Sequence, residues 1–275
     1  MLGEGGSPMI LRRLTANLRT QNWTAIGIEF LIVVTGVFIG TQVANWNQGR
    51  LDKIESERML RQFIPELRTQ LKFYEVNKRY YAITRGYAEQ AFAGWRRDSG
   101  VSDERFVIAA YQASQITGIG INADAWSLTF GGEQIRNLDD SKVRRNLELI
   151  LTSDYAPVDY TTVATRYREQ VRQVIPNDIQ EAIRRECGDR NVRDKDGGNL
   201  IFLPEICSLK FDPAKTAAAA AALRARPDLP AELNWHLAAV ATYLQNFDAL
   251  ITPIRELHAE LTAASRSKKI PGWPT

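Results

Sequence analysis

Residues 23–46 read WTAIGIEFLIVVTGVFIGTQVANW, and this stretch decides the architecture. It is an apolar run with one carboxylate, Glu29, and a tryptophan at either end. Wound as a helix at ~1.5 Å per residue it extends roughly 36 Å, enough to cross a hydrocarbon layer of about 30 Å. Tryptophan favours the headgroup level, so Trp23 and Trp46 predict an anchor at each face. Two other readings compete. A cleaved signal peptide has a shorter apolar core and a small-x-small cleavage site; ahead of a cut after Ala44 stands Gln42, which fits poorly. A buried core helix is the other alternative, but from Ile26 to Ile39 Ile, Val, Leu and Phe occupy every side, interrupted only by glycines, Thr35 and Glu29. The span predicts a single transmembrane helix over 23–46, with the bilayer as its first partner.

Upstream, MLGEGGSP has no apolar periodicity and reads as a disordered lead. The following MILRRLTANLRT places Ile10, Leu11, Leu14 and Leu18 on one face and arginines on the other. That pattern predicts a short basic amphipathic helix on an anionic cytoplasmic leaflet, within a cytoplasmic segment 1–22. Met9 is a second candidate start. Charge alone does not orient the span: Arg12, Arg13 and Arg19 precede it, while Arg50, Lys53, Arg58 and Arg61 follow. The two cysteines, Cys187 and Cys207, flank the polar stretch GDRNVRDKDGGNLIFLPEI. A pair at that separation, with no companion metal ligands, suits one disulfide in an oxidising compartment. Two reduced thiols are the alternative. With the bridge, the N-terminus is cytoplasmic and the large domain periplasmic, in a bacterial inner membrane.

Certain residues of the span form a recurring pattern: Ile28-Glu29-Phe30-Leu31-Ile32-Val33-Val34, then Gly36, then Gln42-Val43, ending in Asn45-Trp46-Asn47-Gln48. This resembles the N-terminal signature of a family of bacterial single-pass membrane proteins of unknown function. Those proteins carry a Glu-containing apolar core, a Gln near its outer end and an Asn-Trp-Asn-Glu exit. The likeness covers about residues 9–70, with a weaker echo from Trp126 to Tyr155. Thr35, Gly40 and Gln48 depart from the pattern. The resemblance implies one anchor and an external helical domain, and no activity.

Gly36, Gly40 and Ala44 repeat at four-residue steps, and Glu29 lies on the same stripe. Small residues permit close helix approach, and a carboxylate in a span seeks a partner. The stripe predicts a homo-oligomer or a docking face for another membrane protein. Alternatively Glu29 reaches the cytoplasmic headgroups and the glycines are incidental.

Beyond Trp46 the periodicity is helical. Leu60, Phe63, Leu67, Leu71, Tyr74 and Tyr81 recur at three- and four-residue steps. A stalk over 47–64 leads to a kink or restart near Ile64, where Pro65 interrupts, and Trp95-Arg96-Arg97-Asp98-Ser99-Gly100 closes the helix. Ser102 caps a helix reaching Gly118; Asn122–Phe130 forms a short one; Asp139 or Asp140 caps another that Pro157 ends. A longer helix runs from about Val158 to Glu186, bent at Pro176. Asp212-Pro213 starts the alanine-rich helix. Pro230 opens the last, whose seam reads Leu233, Leu237, Val240, Leu244, Phe247, Ile251, Ile254, His258 and Leu261. No strand pattern stands out. The expected fold is all-α: one N-terminal transmembrane helix, then an extracytoplasmic helical bundle over 47–268 with one disulfide-bounded loop, and a disordered tail over 269–275.

Chemistry is sparse. His258 falls on the seam, where a core histidine is expected, and His236 lies between seam positions. Neither matches the spacing of carboxylate-bridged metal bundles or zinc hydrolases. No Gly-x-Ser-x-Gly elbow or phosphate-cradling glycine loop is present. No catalytic residue, metal or cofactor is expected. The 35 basic and 32 acidic residues, net +3, are well mixed, without the concentrated stripe that nucleic acid requires. Tyr80, Tyr81, Tyr87, Trp95, Tyr111 and Trp126 offer either core or the lining of a small-molecule pocket. The expected function is a non-enzymatic envelope protein that binds, senses or scaffolds a partner or ligand; a signal passing inward needs a partner, because the cytoplasmic portion is short. An ion-coupled stator-like subunit using Glu29 is the main alternative, and an envelope enzyme a more remote one.

Overall fold

The computed structural model describes residues 23–118, 140–153, 160–195 and 198–266. The expected amphipathic segment 1–22, the short helix at 122–130 and the tail at 269–275 lie outside them. The chain divides into two compact units, 1–54 and 55–275.

Helix α1, Trp23–Arg96, contributes to both units. In the first unit, every side chain from residue 27 to residue 51 is exposed. In the second unit α1 presents a seven-residue repeat to the core. One seam position runs Phe63, Gln70, Asn77, Thr84 and Ala91; the other runs Leu60, Leu67, Tyr74, Tyr81 and Ala88, and all are buried. The helix passes through Pro65 unbroken. Pro65 is exposed, so the carbonyl its missing N–H leaves free lies on the solvent side, where water can satisfy it. The anticipated restart is therefore absent. At its far end α1 closes in a left-handed cap. Arg97 takes φ 59°, Asp98 N–H donates to Ala93 O at 3.0 Å and Arg97 N–H to Gly94 O at 3.3 Å.

Helix α2, Asp103–Gln112, starts at the expected cap: Ser102 Oγ accepts from Arg105 N–H at 3.2 Å. It ends six residues before Gly118. Helix α3, Ser141–Thr152, settles the choice of cap on Asp140, whose carboxylate accepts from Lys142 and Val143 N–H. A 3-10 turn, Tyr160–Val163, precedes α4, Arg166–Val174, and α5, Asn177–Cys187. The expected single bent helix here is in fact broken. Ile175, preceding a proline, is pushed out of the helical region to ψ 128°, so α4 stops and α5 restarts.

Inside the disulfide-bounded loop lies an element the sequence reading missed, a hairpin of β1, Arg190–Arg193, and β2, Asn199–Phe202, paired antiparallel from Arg190↔Phe202 to Arg193↔Asn199. Helix α6, Pro213–Arg224, carries the predicted Asp212 cap and Pro213 in its first turn. Helix α7, Leu229–Arg266, runs antiparallel to the second-unit part of α1: Tyr74 meets Phe247 edge-on at 4.7 Å, and Tyr81 meets Tyr243 at 5.6 Å. Helices α3 and α4 pack on α7, while α6 packs on α2 and α4. The fold is all-α apart from the hairpin.

Candidate functional site

The stripe of Glu29, Gly36, Gly40 and Ala44 is exposed throughout, and a methyl group added at Gly36 or Gly40 would meet nothing within 4 Å. Trp46 is 68% exposed, while the side chain of Trp23 lies outside the described ones. Among the described residues, one helix is long and apolar enough to cross a membrane, and none of its apolar window is buried. That helix and the disulfide are compatible with a membrane-anchored helical protein.

Cys187 closes α5 and bonds Cys207 beyond β2, with Cα atoms 5.5 Å apart. The enclosed loop lies along α1 and is fastened there by side chains. Lys72 Nζ pairs with Asp194 at 2.5 Å and Arg79 with Glu205 at 2.8 Å. Tyr80 OH donates to Asp189 Oδ1 at 2.8 Å, and Tyr87 OH to Pro204 O at 2.9 Å. Two clefts flank the strap. One, of about 370 Å³, lies among Tyr87, Glu104, Ile108, Cys207 and Leu209; the other, of about 380 Å³, among Val76, Tyr80, Ile83 and Phe202.

The aromatic residues do not share one pocket. Tyr81 OH donates to Thr117 O at 2.7 Å, Trp95 Nε1 to Leu223 O at 3.2 Å, and Tyr111 lies under the guanidinium of Arg172. Each ring fills core and gives its polar end to a neighbour, as buried Tyr and Trp require. Burial holds the Tyr80 and Tyr81 phenols well above their ordinary range. Trp126 lies outside the described residues. Comparison with protein-family models, curated proteins and solved structures finds no match to this chain.

The two histidines exchange their expected places. His236 is 1% exposed, whereas His258 is half-buried. The buried face of α7 runs Leu233, His236, Val240, Tyr243, Phe247, Ile251, Ile254, Leu257 and Leu261. Both choices of seam satisfy three- and four-residue steps, and the packing of α4 selects the one holding His236. Its Nδ1 lies 2.8 Å from Thr165 Oγ1, and its ring 5.9 Å from that of Tyr167. Nε2 has no hydrogen-bond partner among the described residues. Burial, reinforced by Arg168, lowers its pKa to about 4.

The unfolded chain therefore accepts this proton first. Stability from His236 is complete above about pH 6.5 and declines as the pH falls towards about 4. The loss amounts to about 3 kcal/mol once both states are protonated. Urea titrations between pH 7 and pH 4 should show that slope in the wild type and a flatter one in His236→Gln. Equal slopes would place the acid sensitivity elsewhere.

Among the described residues no group of three or more His, Cys, Asp or Glu side chains is placed to hold a metal ion. What motif reading passed over is a set of arginines, Arg168 and Arg172 on α4 and Arg184 on α5, converging on the C-terminal end of α2. The four-residue step from Arg168 to Arg172 was visible; the partner surface was not, because it comes from residues 111–115.

Proposed function

We propose that the protein is a non-enzymatic, membrane-anchored envelope protein of the bacterial inner membrane. Residues 23–46 cross the bilayer, the N-terminus is cytoplasmic, and the periplasmic helical domain binds, senses or scaffolds a partner or ligand. The observation that carries this reading is a change of character along α1. Large apolar side chains from Ile28 to Val43 are 46–69% exposed, whereas from Leu60 onward the apolar positions turn into a core. Exposed apolar surface of that extent on one element marks a partner or membrane site, and its length suits hydrocarbon. The disulfide supports an oxidising compartment, hence the external side, for residues 187–207. The Glu29, Gly36, Gly40 and Ala44 stripe is the surface for a second copy or another membrane protein. The resemblance of residues 28–48 to the single-pass family supports the same arrangement.

Fractionation of the full chain tests this reading. It should sediment with membranes, resist high-salt extraction and dissolve only in detergent. An alkaline phosphatase fused at the C-terminus should be active, and a fluorescent protein there should be dark. Recovery in the supernatant without detergent refutes the anchor, and fluorescence from the C-terminal fusion refutes the orientation.

A further inference from the structure

Three guanidinium groups meet where α4 and α5 face the end of α2, and none has a carboxylate within ion-pair distance among the described residues. Arg168 Nη1 donates to Ser114 O at 2.6 Å and to Gln115 Oε1 at 3.5 Å. Arg172 Nη2 donates to the same Gln115 oxygen at 2.9 Å, and its Nε to Ser114 Oγ at 3.4 Å. Its guanidinium stands 4.6 Å from the centre of the Tyr111 ring. Arg184 Nη1 donates to Tyr111 OH at 3.4 Å. Two cations thus share one neutral amide oxygen, and a third is linked through one phenol.

Several arginines of the bundle are matched by charge: Arg224 with Asp103, Arg226 with Asp228 and Arg79 with Glu205, each within 2.8 Å. Here no carboxylate of the described residues stands within ion-pair distance, and the nearby acid is Asp189. Asp189 is the acid felt by both Arg168 and Arg172, and one of its oxygens already accepts from Tyr80. Like charges one turn apart weaken a helix, and gathering them on a half-buried face costs more. The carbonyl end of α2 explains one donor of Arg168. Most of the fifteen N–H groups of the three guanidinium forks have no protein acceptor among the described residues, and a fork is the geometry that phosphate oxygens match.

We propose that Arg168, Arg172 and Arg184, arrayed around Tyr111 and Gln115, form a binding site for a phosphate monoester. A dianion supplies the charge that the cluster lacks and takes up the free N–H groups. The same group is presented by a water-borne phosphate and by the headgroup of phosphatidate. This site does not depend on the membrane reading, and either can fail alone.

The test uses full-length protein in neutral detergent at low, chloride-matched ionic strength, with inorganic phosphate as the probe and calorimetry and thermal unfolding as readouts. Saturable binding with a rise in Tm is expected. Arg168→Gln and Arg172→Lys should each weaken it by about tenfold or more, the second because lysine keeps the charge and loses the fork. Asp189→Asn, which removes the neighbouring carboxylate, should tighten it several-fold and guards against a variant that merely misfolds. In nanodiscs, protection by phosphatidate without protection by inorganic phosphate supports the site with a lipid ligand. No saturable response to either probe overturns the proposal, as does an undiminished response in the Arg168→Gln/Arg172→Lys double variant. A lower Tm in Arg172→Lys with an unchanged phosphate response also overturns it, because the arginines would then be structural.

Discussion

Phe106→Ala should lower the stability of the helical bundle by about 3–5 kcal/mol. The ring is fully buried and meets Trp95 edge-on at 5.2 Å, and the guanidinium of Arg224 lies 4.8 Å from its centre. That arginine also donates to Gly94 O at 3.1 Å and pairs with Asp103 at 2.7 Å. One side chain therefore joins α1, α2 and α6. Its neighbour across the helix contact is Gly94, where an added methyl group would stand 2.1 Å from Phe106 Cδ2 and 2.7 Å from its Cβ. Gly94→Ala should accordingly cost about 1–3 kcal/mol by overpacking, although alanine is the better helix former by about 1 kcal/mol. In the Phe106→Ala background the ring carbons at 2.1 and 2.4 Å are gone while the Cβ at 2.7 Å remains, so the same substitution should cost less than in the wild type. Chemical denaturation of the four proteins of this cycle measures the reduced penalty as a coupling between the two sites. Additive losses would mean that α1 and α2 do not meet at this glycine.

Replacing Cys187 and Cys207 with serine should cost about 3 kcal/mol, the value expected for a closed loop of this length. At this size each kcal/mol moves Tm by about 2–4 °C, so a fall of about 6–12 °C is expected; reductant should reproduce it in the wild type and leave the double serine variant unmoved. Hydrogen exchange should quicken first in β1 and β2, because without the bridge the strap keeps only the buried Leu200 and Leu203, two ion pairs and two tyrosine hydrogen bonds. The ion pairs, such as Arg79 with Glu205, contribute little in water. A Tm unaffected by reductant would show that those contacts suffice without the covalent link.

The parts of this fold that were legible in sequence are those set by local chemistry. Ser102, Asp140 and Asp212 each cap a helix because a short oxygen-bearing side chain can reach backbone N–H groups two or three residues ahead. The cysteine pair was legible for a similar reason: two residues with nothing else to bind. What escaped depended on neighbours remote in sequence. Apolar period alone left two faces of α7 available, and α4 decided that His236, not His258, is buried. Prolines also divided by context. Pro65 sits on an exposed face and leaves α1 intact, while at Ile175-Pro176 the chain turns and two helices result. The hairpin has strands of four residues, too short to show alternation. The arginine cluster was the least visible, since Arg168, Arg172 and Arg184 come together only on residues 111–115, far away in sequence.

The bond between Cys187 and Cys207 also makes this stretch a closed covalent circuit. Between those two points the polypeptide has two independent routes, one along the peptide backbone and one through sulfur. The outer route carries Arg190, Arg193 and Lys195, the side chains a trypsin-like protease cuts beside. A single cleavage there opens the ring without parting the molecule, and the two fragments separate only when a thiol severs the second route.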